Sequence, residues 1–211
     1  MIGNSDSLIL EFGRLRDYQQ PLLPGEADLA SGATLARLWE LRAGRTAART
    51  ALSRLSIPEA PILCDSAGAP LWPSDLCGSL SHTPTHVAAL VARKERWRAV
   101  GIDVNDGRAL GAHLSAQVMS KVEEQLLSPL AERLCVDPAN LAFSAKEALY
   151  KCQYPITGNV NVSFNDVTLR RGTHAQFSAE MAQWGISAEL QFASLDAKLV
   201  CCCTIPAHQV C

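Results

Sequence analysis

Between residues 33 and 55 the apolar positions Leu35, Leu38, Trp39, Leu41, Leu52 and Leu55 recur at helical spacing among alanines and arginines, which predicts an amphipathic helix. Pro58 and Pro61 close it off. Residues 67–81 are rich in Gly, Pro and Ser and predict an irregular connection over the surface. Two apolar runs, 87–91 and 99–104, flank the charged segment 93–96 in a hairpin-like pattern. Beyond Asp106 the period is helical again over 115–134 and 138–152, the second opened by Asp137 as N-cap and Pro138 in the first turn. Residues 158–169, 174–181, 186–193 and 199–205 read as short strands joined by turns. The expected architecture is α+β, in two halves, 1–105 and 106–211, each holding helix and antiparallel strand. No internal sequence repeat stands out.

With 211 residues, 48% of them hydrophobic and 19% charged, the chain can bury an ordinary core without metals or disulfides as staples. No apolar run approaches the length of a membrane span, and residues 1–10 lack the pattern of a secretory signal, so a cytoplasmic location is expected. In that compartment the eight cysteines are expected as free thiols. A formal net charge of −2 argues against nucleic-acid binding, which needs a basic surface, but leaves room for a local phosphate pocket.

Four segments carry candidate chemistry. On a helix over 143–151, Glu147 and Lys151 share a face and Lys146 points to a neighbouring one. In the strand-like 100–106, Gly101 allows close backbone approach and Asp103 faces away from Ile102 and Val104, so that Asp103 and Glu147 together suit a hard cation. The small residues of 78–83, with Ser81 and His82, offer donors to an anion. Arg45 and Arg49 lie on one helical face and can grip phosphates. Taken singly, each has an ordinary alternative: a surface ion pair, a strand-edge acid, a turn, solvated arginines.

Taken together and in this order, AGRTAAR (43–49), LeuTrpPro (71–73), GSLSHT (78–83), GIDVN (101–105) and FSAKEALYK (143–151) resemble the signature of the 4′-phosphopantetheinyl transferases. The likeness is to the longer, monomeric kind, of the enterobactin-synthase type, and covers about residues 40–155. It implies a pseudodimer of two similar α+β halves, with coenzyme A as co-substrate and Mg2+ in the cleft between them. Asp103, Glu147 and Asn105 would hold the metal. Arg45, Arg49, Ser81 and His82 would hold the nucleotide and its phosphates, and Lys146 and Lys151 would approach the pyrophosphate. The implied reaction is attack of a carrier-protein serine on the β-phosphorus of coenzyme A, with Glu147 as general base and 3′,5′-adenosine bisphosphate expelled.

This chain departs from the family pattern at Asn105, where GIDxE has an acid, and in the loop 67–70, which lacks the basic residue usual there. The first departure predicts weaker metal affinity and raises the alternative of a coenzyme A-binding paralogue with lost or altered transfer. Asp106 would point to the other face of a regular strand. The expected partner is a small acidic acyl or peptidyl carrier domain of fatty-acid, polyketide or nonribosomal peptide synthesis, with Lys121, Arg133 and Lys151 as candidate docking charges. A competing zinc reading uses Cys201, Cys202, Cys203, His208 and Cys211, but consecutive strand residues alternate faces, which favours packing.

Overall fold

The computed structural model describes residues 4–172 and 177–208, so Cys211 and residues 174–176 of the expected strand lie outside the described residues. Strands β1 (Leu8–Arg14), β2 (Leu76–His82) and β3 (His86–Arg93) form an antiparallel sheet in the order β1-β3-β2. A second antiparallel sheet has the order β4-β8-β7-β6-β5, from β4 (Trp97–Asn105), β5 (Thr168–Arg171), β6 (Phe177–Met181), β7 (Ile186–Leu195) and β8 (Lys198–Pro206). The helices are α1 (Leu35–Arg54), α2 (Ala112–Val118), α3 (Lys121–Leu134) and α4 (Pro138–Thr157). None of the helices of the described residues is long and apolar enough to cross a membrane.

Strand alternation sorts the core into layers. Val87, Ala89 and Val91 of β3 pack against α1, while Ala88, Leu90 and Ala92 pack against Val100, Ile102 and Val104 of β4 and Val200 and Cys202 of β8. The opposite face of the second sheet, including Ala99, Cys201 and Cys203, packs against α3 and α4. Cys202 thus sits in a different layer from Cys201 and Cys203, and burial pushes all three thiols up from their ordinary pKa.

Helix α1 starts at Thr34, whose side chain accepts the Arg37 N–H. Of the expected stripe, Leu41, Leu52 and Leu55 are buried, whereas Leu35 and Trp39 are exposed; Leu52 and Leu55 share the core with Ala43, Ala47, Ala48 and Ala51, small residues that let the helix approach the sheet closely. Helix α4 begins at Asp137 and Pro138 as expected and runs a turn past Cys152, to Thr157.

Five expectations are corrected. Residues 8–14, for which the sequence reading gives no element, form strand β1, with Ile9 and its neighbours Leu8 and Leu10 packed to opposite faces in a two-residue period. The connection predicted over 67–81 becomes strand at Leu76. The 115–134 helix is broken, because Ser120 restarts it as α3 with a capping box to Glu123. Residues 158–167 form no strand: Asn159 and Ser163 side chains accept backbone N–H groups there and compete with a ladder. The hairpin expected from 87–104 does not form a ladder either, since β3 and β4 lie in different sheets. Hydrogen bonding therefore groups β4 with the second sheet, although the expected boundary fell at its end.

Strand β4 is an edge strand, and the N–H groups on its free edge find side-chain partners. Ile102 N–H donates to Ser79 Oγ (3.1 Å) and Val104 N–H to Ser81 Oγ (3.0 Å), so two β2 serines cap the edge and join the sheets.

The two sheets also share a plan that the sequence does not display. The first unit runs β1, α1, β2, β3 with strand order β1-β3-β2; the second runs β4, α4, β7, β8 with order β4-β8-β7, with β6 and β5 added at its edge. A buried ion pair recurs at the same separation of 23 residues, Glu26 with Arg49 of α1 and Glu123 with Lys146 of α4. Each glutamate also accepts the N–H three residues before it, Leu23 or Ser120, and one from the chain beyond the helix, Ile62 or Leu169.

Helix α4 rests on β4 at Gly101, where an added Cβ would lie 1.9 Å from the Ala148 carbonyl oxygen. Gly101→Ala should therefore force β4 and α4 apart and lower the unfolding free energy by about 3 kcal/mol, as measured by urea titration.

Candidate active site

Because Gly101 brings α4 against β4, Asp103 on that face of the strand meets the end of Lys151 one layer away. Asp103 Oδ1 accepts from Lys151 Nζ (3.1 Å) and from Ser81 Oγ (3.2 Å), and Lys151 also donates to the Ile102 carbonyl (2.9 Å). Asp103 Oδ2 is buried and has no hydrogen-bond partner. Glu147 lies one turn before Lys151; burial raises its pKa above the usual glutamate value, Lys151 opposes the rise and Asp103 adds to it. Two carboxylates, one with an orphaned buried oxygen and one held up in pKa, fit a hard divalent cation such as Mg2+. Among the described residues no group of three or more His, Cys, Asp or Glu side chains is placed to hold a metal ion, so the fit rests on these two acids.

The Asn105 side chain is engaged in the turn after β4. Its Oδ1 accepts the Gly107 N–H (2.8 Å) and its Nδ2 donates to Asn140 Oδ1 (3.4 Å), which fixes the turn after β4. Asp106 is paired with Lys198 of β8 at 2.8 Å, and that hydrogen bond is the main cause of its lowered pKa.

The remaining predicted residues divide into two groups. Ser81, His82 and Arg45 line one cavity of about 480 Å³, together with Arg37, Glu40 and Asp65. Arg45 donates to Cys64 Sγ (3.0 Å), and its Nε is buried without a partner. His82 Nε2 lies 3.7 Å from Glu40; burial lowers its pKa, Glu40 opposes that, and Arg37 and Lys151 reinforce it. Arg49 and Lys146 belong to the buried ion pairs instead. Arg49 is held by both Glu26 oxygens (3.1 and 2.9 Å), by the Pro21 carbonyl and by Glu59. Lys146 is held by Glu123 (3.1 Å) and the Phe164 carbonyl (3.1 Å).

A second cavity, of about 250 Å³, is lined by Trp72, Gly78, Tyr150, Lys151 and Tyr154 and shares Gly68, Pro70 and Leu80 with the first. Tyr154 donates to Asp65 Oδ2 (2.7 Å), tying α4 to the loop that borders both cavities. Sequence reasoning missed Tyr150, Tyr154, Asp65 and Glu40. The tyrosines had a signal: they follow Glu147 at three and seven residues, on the helical face that carries Lys151.

Removing one partner of a buried ion pair leaves an uncompensated charge, so Arg49→Met and Lys146→Met should each cost about 3–5 kcal/mol of stability in chemical denaturation. Separately, Mg2+ should raise the melting temperature of the wild-type protein, and Glu147→Gln should abolish that rise while leaving the metal-free protein no less stable. The sign follows from the raised Glu147 pKa, which means that the fold disfavours the ionised carboxylate that Gln removes.

The model of the 4′-phosphopantetheinyl transferase N-terminal domain matches residues 25–92, and that of the 4′-phosphopantetheinyl transferase superfamily matches residues 99–204. The chain is 37% identical over 149 residues to 4′-phosphopantetheinyl transferase Svp of Streptomyces mobaraensis, covering 70% of this chain and 60% of that protein. It is 34% identical over 150 residues to 4′-phosphopantetheinyl transferase Npt of Nocardia iowensis, covering 70% and 67%. Enterobactin synthase component D of Salmonella typhimurium is 30% identical over 161 residues, covering 70% and 64%. The matched region thus spans roughly three fifths to two thirds of the length of these relatives.

Proposed function

Since the chain belongs to the 4′-phosphopantetheinyl transferase superfamily, we propose that it moves the 4′-phosphopantetheine arm of coenzyme A onto a serine of an acyl or peptidyl carrier protein. The observation that carries this reading is the Asp103, Glu147 and Lys151 constellation, whose Lys151 lines the cavity of Trp72 and whose Asp103 accepts from Ser81, a residue lining the cavity of Arg45. The more polar cavity, with Arg45, Ser81 and His82, suits the nucleotide, and the cavity of Trp72, Tyr150 and Tyr154 suits the less polar pantetheine arm. The repeated strand order and repeated buried ion pair support a pseudodimer whose halves meet at this site.

Asp103 and Glu147 are the residues that would hold Mg2+, which supplies Lewis-acid charge neutralisation to the pyrophosphate. Lys151, already fixed between the Ile102 carbonyl and Asp103, presents its ammonium to the phosphate oxygens. Glu147, with a pKa raised by burial, takes the proton of the carrier serine as its oxygen bonds to the β-phosphorus. The bond from that phosphorus to the bridging oxygen breaks, and 3′,5′-adenosine bisphosphate leaves with the electron pair. Asp103 and Glu147 would supply the charged oxygens for the metal, and Asn105 Oδ1, which accepts the Gly107 N–H and keeps a second lone pair, or water would add an uncharged one.

On this reading Arg49 and Lys146 are not phosphate contacts but the buried cations of their two units. Lys121, exposed at the start of α3, is the simplest of the candidate docking charges for an acidic carrier, because Lys151 is engaged inside. Incubating apo carrier protein with the enzyme, coenzyme A and Mg2+ should add the mass of phosphopantetheine, and Glu147→Ala should reduce the rate at least a hundredfold in intact-mass spectrometry. Retained coenzyme A binding with no mass gain on any of several carriers would instead favour the altered paralogue.

A further inference from the structure

The cavity assigned above to the nucleotide carries an unusual charge balance for a site that must hold coenzyme A, whose adenosine end bears a 3′-phosphate in addition to the pyrophosphate. Its two arginines are matched by two carboxylates. Arg37 is already paired with Glu40 at 3.3 Å, and Glu40 also faces His82 at 3.7 Å. Asp65 faces the same space, fixed by the Ala67 and Ala69 N–H groups (both 2.9 Å) and by the Tyr154 hydroxyl. Arg45 has no carboxylate partner among the described residues, and it is largely buried, with its guanidinium against Cys64. The loop itself, Ser66, Ala67, Gly68 and Ala69, contributes no cation.

Two further facts keep the balance from tipping toward an anion. The Tyr154 hydrogen bond is the main cause that holds the Asp65 pKa below the usual carboxylate value, so Asp65 stays ionised. Burial lowers the His82 pKa, against the opposing pull of Glu40. A phosphate dianion entering this cavity would meet as much fixed negative as positive charge, whereas the pyrophosphate next to Lys151 and the two metal-binding acids meets a committed cation site.

We propose that this enzyme recognises its donor through the groups that coenzyme A shares with 3′-dephospho-coenzyme A, and that it uses both as phosphopantetheine donors. The inference rests on the transferase reading given above and specifies its donor class. With the dephospho donor the carrier serine oxygen bonds to the pantetheine-side phosphorus, the bond to the bridging oxygen breaks, and adenosine 5′-monophosphate leaves with the electron pair. The serine proton passes to the same base, so the balance differs from the coenzyme A reaction only in the leaving group.

Calorimetric titration of the full chain with coenzyme A and with 3′-dephospho-coenzyme A, in the same Mg2+ and salt, tests this directly. Dissociation constants within tenfold of each other are expected, and a preference for coenzyme A above tenfold overturns the proposal while leaving the transferase reading intact. Glu40→Gln, which frees Arg37, should raise the preference for coenzyme A at least fivefold. An unchanged ratio in that variant would mean that the 3′-phosphate does not enter this cavity and would also sink the proposal. Binding of neither donor would overturn the transferase reading and this inference with it.

Discussion

The rest of the molecule depends on how the free edge of β4 is satisfied. An edge strand buried between two sheets would leave N–H groups without partners, each costing about 1–3 kcal/mol, so the two β2 serines that accept them are structural requirements. Ser81 does a second thing with the same hydroxyl: it accepts from Val104 N–H and donates to Asp103. The joint between the sheets and the orientation of the candidate metal ligand are therefore one hydrogen-bonded unit. Gly101 completes it by letting the backbone of α4 settle on the strand, which brings Lys151 into reach of Asp103.

Around that joint stands a structural repeat built on few positions. Each unit needs one buried glutamate, one cation 23 residues later on its central helix, and two backbone N–H groups to saturate the carboxylate. An arginine serves in one unit and a lysine in the other, and the helices that carry them otherwise differ. This explains how two units share a strand order without visible sequence repetition. It also changes the reading of the Lys146-Glu147 pair: both line one cavity beside Tyr150, but Lys146 is tied to the buried Glu123 while Glu147 feels the charges of Lys151 and Asp103.

Much of the site was legible in the sequence because its chemistry is concentrated in short motifs. Asp103 alternating against Ile102 and Val104, and Lys151 one turn from Glu147, follow from strand and helix periods alone, and both geometries are present. Periodicity also located the long helices and the strands after residue 186. It failed where side chains serve partners distant in sequence. Gly78 and the serines of β2 read as a loop because they are poor strand formers, yet the Trp72 ring lies where a Gly78 Cβ would be, and the hydroxyls are spent on β4. Leu35 and Trp39 at the start of α1 belong to the expected stripe but stay exposed, because contact with the sheet selects the alanines and Leu52 further along.

By itself, the sequence determined the types of the main elements, the family resemblance and the position of the acid and lysine motifs, because these depend on local spacing and on residue chemistry. Only the tertiary structure decided that Arg49 and Lys146 neutralise buried glutamates, that Asn105 hydrogen-bonds within the turn after β4, and that the cavity of Arg37 and Arg45 also holds Glu40 and Asp65. Each of those outcomes turns on a partner that folding brings in from elsewhere. Glu26 stands 23 residues from Arg49, and Asp65 stands 89 residues from Tyr154. No local pattern states which charge will meet which, since that is fixed by how the layers stack.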